Sequence, residues 1–253
     1  MPRTARQKSE SGIYHIIMRG INRQILFEDE EDSAKMVRTL QRYREKSKYE
    51  LYAYCLMGNH LHLLLKEGQE PLETVMRRIC GSYVLWYNKK YDRVGYLFQD
   101  RYKSEPVEGE SYFLTVLRYI FRNPQKAGIV AKADEYAWSN YKDYLEKSFE
   151  TDTAFALNLF DADEKKAVQR FIDWINTEND EACLDITEKK QLPDVAAIKI
   201  IKKHCKVSNC TELQKLEPDK RNEFIKDLKE GYCLSIRQLE RLTGISRGII
   251  QRI

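Results

Sequence analysis

Two histidines offer the clearest chemistry in the sequence. His60 and His62 are half of the four histidines in the chain, and residues two apart in a strand point to the same side. Two neighbouring imidazoles on a rigid strand make half of a divalent-metal site. A histidine pair with one residue between is also found on the wet face of hairpins, so the pair alone leaves both interpretations open.

A tyrosine and an asparagine stand four residues apart, just before Pro124. At this spacing Tyr119 and Asn123 share one helix face. The amide oxygen of Asn123 is a candidate third metal ligand, and the phenol of Tyr119 is a candidate nucleophile. A phenol is a poor nucleophile unless it is activated, and a metal that withdraws charge from a phosphate oxygen helps its attack. Packing is the alternative for Tyr119, one of 16 tyrosines.

The surrounding elements are predicted from hydrophobic spacing and from turn residues. Apolar and β-branched runs predict strands, apolar residues at helical spacing predict helices, and Asn123-Pro124 predicts a helix end. The elements are strands 12–18, 50–57 and 60–66, helices 30–48, 70–90 and 109–122, and an extended segment within 96–107. The order β-α-β-β-α-β-α predicts an α+β fold, an antiparallel sheet with helices on one face.

Five sequence blocks carry a family resemblance. In order, over about residues 10–145, they are YHIIMRGINRQILF, LYAYCLMGNHLHLLL, GYLFQDRYKS, YFLTVLRYIFRNPQKAGIV and YAWSNY. Together they resemble the HUH-class single-tyrosine transposases of the IS200-like superfamily, most nearly the REP-associated branch. The resemblance implies a ferredoxin-like sheet with the His-x-His pair on a central strand.

The resemblance also implies a reaction. His60 and His62 would bind Mg²⁺ or Mn²⁺ against the scissile phosphate, and Tyr119 would attack single-stranded or hairpin DNA. The products would be a 5′-phosphotyrosine bond and a free 3′-hydroxyl, and a hydroxyl could later rejoin strands. Insertion-sequence relatives often carry glutamine where this chain has Asn123, so the shorter amide makes direct ligation or contact through water the two alternatives.

Further polar residues lie near these blocks. His15, in the first strand, is a candidate to position DNA or the metal, with a core hydrogen bond as the alternative. Five residues in the loops and strands beside the site are candidate DNA contacts. Such contacts would position the DNA and carry little sequence information. They are Arg19, Asn22, Arg23, Arg101 and Lys103.

Charge divides the chain into three segments. Residues 1–148 have 25 Lys and Arg against 20 Asp and Glu, residues 149–196 have 5 against 12, and residues 197–253 have 13 against 7. Basic segments favour polyanions such as nucleic acid. We therefore predict a catalytic domain over 1–148, an acidic helical spacer over 149–196 and a helical DNA-binding module over 197–253.

The last twenty residues, LSIRQLERLTGISRGIIQRI, have the pattern of a helix-turn-helix. Ser235 caps a first helix, Thr243-Gly244-Ile245 makes the turn, and a second helix carries Arg247 and Arg252 toward a DNA groove. The alternative is a basic helical hairpin that packs on the catalytic domain. Because the chain stops early in the second helix, it is expected to be truncated there.

Composition excludes several classes of protein. With 42% hydrophobic and 32% charged residues the chain is globular, and it contains neither an apolar run of membrane-spanning length nor a secretory signal. The six cysteines are expected to be reduced thiols, which places the protein in the cytoplasm, on the nucleoid when bound to DNA. A monomer and a homodimer stay open, as do two other functions: a domesticated DNA-binding protein without turnover, and a nuclease that uses water.

Overall fold

The structure, a computed structural model, describes residues 6–146, 151–177, 183–184, 194–232 and 234–253. The backbone divides into two compact units, Met1–Asp185 and Ile186–Ile253. Of the predicted domain borders, 148/149 lies outside the described residues and 196/197 falls inside a helix of the second unit. The division into three functional segments therefore stays a prediction. No helix in the described ranges is long and apolar enough to cross a membrane.

The first unit is built on a four-stranded sheet. Along the chain, its elements are β1 (Ile13–Arg19), α1 (Glu30–Ser47), β2 (Glu50–Met57), β3 (His60–Lys66), α2 (Leu72–Lys90), β4 (Lys103–Pro106) and α3 (Glu110–Lys126). The strands lie in the order β2-β3-β1-β4, and every neighbouring pair is antiparallel. This confirms the predicted ferredoxin-like sheet and the predicted order of elements.

Helices cover both faces of the sheet, which corrects the prediction of helices on one face. On one face, Leu61, Leu63 and Leu65 of β3 pack with α1 and α2. On the other face, Leu64 of β3 and Ile13 of β1 pack with α3. A strand that is covered on both sides has apolar residues at both its odd-numbered and its even-numbered positions. This explains the run of leucines in β3.

A reciprocal cap fixes the start of α1. The side chain of Asp29 accepts a hydrogen bond from the Asp32 amide at 3.0 Å, and the Asp32 carboxylate accepts from the Asp29 amide at 3.3 Å. The ammonium of Lys90, at the end of α2, pairs with both carboxylates at 2.7 and 2.9 Å. The cap therefore joins α1 to α2 in the helical layer behind the histidine-bearing strand.

Helix α3 continues through Pro124, whereas the sequence predicts that it ends at Asn123-Pro124. Proline removes one backbone hydrogen bond, and here it does so only in the last turn of a helix whose apolar face is buried on the sheet. Gly128, with a φ of 70°, follows the helix end. Tyr119 and Asn123 consequently lie in one uninterrupted helix.

The acidic segment adds two helices to the first unit, α4 (Thr153–Asn158) and α5 (Glu164–Asn176). Phe171 of α5 is fully buried. Its ring stacks on Tyr144 with 4.5 Å between centroids and meets Phe121 of α3 edge-on at 6.0 Å. The described part of the predicted spacer therefore packs into the core beside α3.

Replacing Phe171 tests this packing. Phe171→Ala should lower the free energy of unfolding of the first unit by about 3–5 kcal/mol, because it removes a buried ring and leaves a cavity. Urea unfolding followed by tryptophan fluorescence reports on this unit, since it contains all three tryptophans. Lys165→Ala, at an exposed position of α5, should change stability by less than about 0.5 kcal/mol. Equal stabilities of the two variants would contradict the packing of α5.

The second unit is helical, as predicted. Its helices are α6 (Asp194–Cys205), α7 (Pro218–Glu230), α8 (Ile236–Thr243) and α9 (Arg247–Arg252). Ser235 Oγ accepts a hydrogen bond from the Gln238 amide at 3.2 Å and caps α8. Gly244 makes the turn into α9 with a φ of 71°, a conformation that favours glycine. Leu239 and Ile250 are buried between the helices of this unit.

The cysteines that the structure describes are free thiols, three of them buried. Burial raises the pKa of Cys80 to about 12 and that of Cys205 to about 11. These thiols stay protonated near neutral pH and are poor nucleophiles and poor metal ligands. Cys233 lies outside the described residues.

Candidate active site

The paired histidines lie on β3 and point toward α3. In the antiparallel pairing with β1, His62 lies opposite Ile17 and His60 lies opposite Arg19. Leu61 points into the other core. His62 is completely buried and His60 is half-buried. The pair therefore lies between the sheet and a helix, and not on a wet face.

Helix α3 places Tyr119 against these histidines. The ring centroids of Tyr119 and His62 are 5.6 Å apart, and those of Tyr119 and His15 are 5.9 Å apart, both edge-to-face. Tyr119 is only 8% exposed, and its hydroxyl oxygen is buried. Rings from β1, β3 and α3 thus converge within one chain.

A hydrogen-bond chain runs from Glu105 through His15 to His62. Because β1 pairs with β4, His15 lies opposite Glu105, and its Nδ1 is 2.9 Å from the Glu105 Oε1. The other nitrogen of His15, Nε2, is 3.1 Å from Nδ1 of His62. The chain ends at Nε2 of His62, which is buried and has no hydrogen-bond partner within the described ranges.

Burial, neighbouring charges and hydrogen bonds set the protonation of His62 and Glu105. Burial, reinforced by His15 and His60, holds the pKa of His62 well below its ordinary value of 6.5, so its ring is neutral near pH 7. Burial favours a raised pKa for Glu105, but hydrogen bonds from His15 and from the Leu184 amide outweigh it and lower that pKa. The Glu105 carboxylate is therefore ionised and only accepts hydrogen bonds.

The two imidazoles suit a divalent ion. His60 Nδ1 lies 2.8 Å from the carbonyl oxygen of the Asn59 side chain, so Nδ1 carries the hydrogen and Nε2 of the neutral ring carries the lone pair. The unpartnered Nε2 of His62 is the second donor. The donor set fits half a site, since among the described residues no three His, Cys, Asp or Glu side chains are grouped to hold a metal.

The end of α3 adds two polar groups near Tyr119. Asn123 Nδ2 donates to the Tyr119 carbonyl oxygen at 3.4 Å, which leaves the amide oxygen of Asn123 as an acceptor. The ammonium of Lys126 lies 5.2 Å from the centre of the Tyr119 ring. This contact places a positive charge over the face of the ring. Metal ligation by Asn123 stays a prediction.

Two of the predicted DNA contacts lie on the histidine side of the sheet. Arg19 is directly opposite His60, and Lys103 is opposite Ile17, which is itself opposite His62. Side chains of directly opposite residues share a face. Arg19 therefore lies beside His60, and Lys103 lies two strands away from His62 on the same face of the sheet.

The other three predicted contacts of this unit lie in loops. Asn22 and Arg23 follow β1 in a short turn with φ values of 51° and 64°, and Arg101 is exposed just before β4. The Gly20 amide donates to the carbonyl oxygen of Asn59 at 2.9 Å, next to His60. The turn that carries Asn22 and Arg23 therefore lies beside the histidine pair.

The two arginines predicted in the C-terminal module belong to the second unit. Arg247 begins α9 and Arg252 lies in its last turn, and both are exposed. The Arg247 amide donates to the Glu240 carboxylate at 3.2 Å, which joins α9 to α8. DNA contact by these side chains stays a prediction.

Sequence reasoning misses two residues of this site, Glu105 and Lys126. Glu105 stands two residues after Lys103 in an extended segment, which is a signal that both share a face. Nothing local shows that this segment pairs with β1. Lys126 lies seven residues after Tyr119, two helical turns on, and the predicted helix end at Pro124 conceals that relation.

The sheet order, with the histidine pair on β3 and the tyrosine on α3, matches the HUH transposase fold. Residues 8–123 match the family described as transposase IS200 like. Over this segment, which is slightly less than half of the chain, the protein is similar to the IS200-like transposases.

A solved structure shows the same fold. The structure of a REP-associated tyrosine transposase bound to a REP hairpin aligns with a TM-score of 0.50 and 17% identity, over 57% of this chain and 86% of that one. A candidate transposase from Deinococcus radiodurans R1 aligns with a TM-score of 0.35 and 19% identity, over 47% and 95%. No curated protein matches the chain.

Proposed function

We propose that the chain nicks single-stranded DNA and transfers the cut strand, with Tyr119 as the nucleophile. The observation that supports this most directly is the 5.6 Å separation of the Tyr119 and His62 rings within one chain. A tyrosine that only packed would have no need of two buried imidazoles, those of His62 and His15, against its ring. Because one chain supplies the whole group, we propose that Tyr119 acts on the site of its own subunit.

The reaction follows from the groups present. Attack of the Tyr119 oxygen on phosphorus forms a 5′-phosphotyrosine bond and breaks the bond to the 3′-oxygen of the preceding nucleotide. The phenol loses one proton and the leaving 3′-oxygen gains one, so the step is balanced. The phosphodiester energy is kept in the protein–DNA bond, and a 3′-hydroxyl can reverse the step and join strands.

The residues that would hold a divalent ion are His60 and His62. Mg²⁺ or Mn²⁺ bound there would withdraw charge from a phosphate oxygen in contact with it. Mg²⁺ commonly keeps water and substrate oxygens among its ligands, so a half-site of two imidazoles is sufficient from the protein. Asn123 is our proposed third contact, either direct or through water.

The proposed substrate is a single strand that extends from a DNA hairpin. Tyr119 is 8% exposed and lies between α3 and the sheet, so a thin, flexible strand enters more readily than a duplex. Arg19, Lys103 and Arg23 would hold its phosphates next to the histidine pair. The REP-associated transposase of similar fold was solved with a REP hairpin, which supports this class of substrate.

Trapping the covalent intermediate tests the proposal. The full chain is incubated with Mn²⁺ and hairpin DNAs that carry single-stranded extensions, labelled in parallel at the 5′ or the 3′ end. We expect a denaturant-resistant adduct that contains the 3′ label, with the 5′ label released on a strand ending in a 3′-hydroxyl. Mass spectrometry should locate the DNA on Tyr119. An adduct that holds the 5′ label, or free products without an adduct, would contradict the mechanism.

We further propose that the helix-turn-helix of the second unit binds duplex DNA. Arg247→Ala on α9 should weaken duplex binding about tenfold at low salt and lower the slope of log affinity against log salt by about 0.9, the value for one phosphate contact. Fluorescence anisotropy over a salt series measures both. Lys226→Ala, exposed on α7, serves as the charge-matched control, and an equal loss there would count against recognition by α9.

A further inference from the structure

Each hydrogen bond in the series from Glu105 through His15 to His62 has a defined donor and a defined acceptor. Glu105 is an ionised acceptor, so the hydrogen in its 2.9 Å contact belongs to Nδ1 of His15. A neutral His15 then has a lone pair on Nε2, which can only accept in its 3.1 Å contact with His62. Nδ1 of His62 must donate, and the lone pair of His62 is left on Nε2, the buried nitrogen without a partner.

We propose that Glu105 and His15 are positioning residues that hold His62 in the tautomer with Nε2 free to bind the divalent ion. This inference rests on the proposed function for the identity of the ion. A histidine that binds metal commonly donates its other ring hydrogen to an acceptor that fixes its orientation. Here the acceptor is a second histidine, and its own tautomer is fixed by a carboxylate on the edge strand.

The arrangement is more than a core hydrogen bond. His15 uses both ring nitrogens, and both of its partners lie on neighbouring strands, at positions that the sheet register sets. The rings of His15 and His62 also stack with centroids 5.4 Å apart, and a flip of the His15 ring would break its hydrogen bonds to Glu105 and His62. Glu105 is held in turn by the Leu184 amide at 3.0 Å.

The tautomer can be read directly. In ¹⁵N-histidine-labelled, metal-free full chain at about pH 8, where imidazoles are ordinarily neutral, ring nitrogen shifts separate protonated from unprotonated positions. With four histidines in the chain, single variants His60→Ala, His204→Ala and His15→Gln assign the signals, and the remaining ring is His62. We expect His62 to be protonated on Nδ1 alone, and His15 likewise. A proton on Nε2 of His62 would overturn the proposal.

Binding of Mn²⁺ alone supplies a second readout. His15→Leu and Glu105→Leu should each weaken Mn²⁺ binding about tenfold to a hundredfold, the usual range for an outer partner of a metal ligand. Both substitutions should also leave His62 as a mixture of its two neutral tautomers. His15→Gln should restore binding to within about threefold of wild type, since its carbonyl oxygen can accept from Nδ1 of His62.

The controls separate this inference from the proposed function. Glu110→Gln, an exposed carboxylate at the start of α3, should bind Mn²⁺ as wild type does. Tryptophan fluorescence verifies that each variant is folded, and Glu105→Leu still tests the inference if His15→Leu is not folded. Wild-type Mn²⁺ affinity in folded His15→Leu or Glu105→Leu would overturn the inference. Neither measurement involves DNA, so a failure to nick DNA would contradict the proposed function and would leave this inference intact.

Discussion

Tyr119→Phe should abolish the covalent protein–DNA adduct while DNA binding is retained. The substitution removes the nucleophilic oxygen and keeps the ring that packs against His62 and His15. Loss of an attacking group commonly costs on the order of 10⁴-fold or more in rate. Stability should change by only about 1 kcal/mol, the net worth of one buried hydroxyl contact. Adduct yield on denaturing gels and hairpin affinity by anisotropy measure the two effects.

A matched variant on the opposite side of the sheet controls for the loss of a hydroxyl. Tyr43→Phe, on α1 in the other core, should form the adduct at the wild-type rate. If Tyr119→Phe still cuts DNA without an adduct, water is the nucleophile and Tyr119 only packs. If the wild type binds hairpins but never cuts them, the chain is a binding protein with the transposase fold.

The order of strands and helices could be predicted because each element has a strong local signal. The run of leucines in β3 and the spacing of apolar residues in α1 and α2 are typical of their structures, and the observed bounds differ from the predicted ones by only a few residues. The end of α3 could not be predicted, because Pro124 is tolerated in a last turn that tertiary packing holds in place. Helices on both faces of the sheet were not predicted, although β3 carries leucines at both odd-numbered and even-numbered positions.

Two of the candidate site's features could be predicted, one from local spacing and one from the family resemblance. His60 and His62 share a face because they are two residues apart in a strand, and Tyr119 was placed on a helix next to them by resemblance. Glu105 could not be assigned, since it reaches His15 only through the pairing of β1 with β4, which joins residues 90 positions apart. Cross-strand partners of this kind depend on topology, which spacing along the chain does not show.

His60→Ala should abolish nicking without loss of DNA binding, because it removes one of the two imidazoles that would hold the ion. His60 is half-buried at the start of β3, so the truncation leaves a smaller cavity than it would at the fully buried His62 and should leave the fold intact. We expect nicking to fall by at least about 10³-fold, the scale of losing metal stabilisation of charge on phosphate. Gel assays in Mn²⁺ measure nicking, and calorimetry measures Mn²⁺ affinity.

The control for this variant is another histidine of the chain. His204→Ala alters a half-buried ring that pairs with Asp227 in the second unit, and it should nick DNA as the wild type does. Excess EDTA should stop wild-type nicking, and Mn²⁺ should restore it. Nicking that persists in EDTA would contradict the metal assignment, and nicking that persists in His60→Ala would contradict the role of His60. In that event the unpartnered Nε2 of His62, already buried beside Tyr119, would be placed to accept the phenol proton.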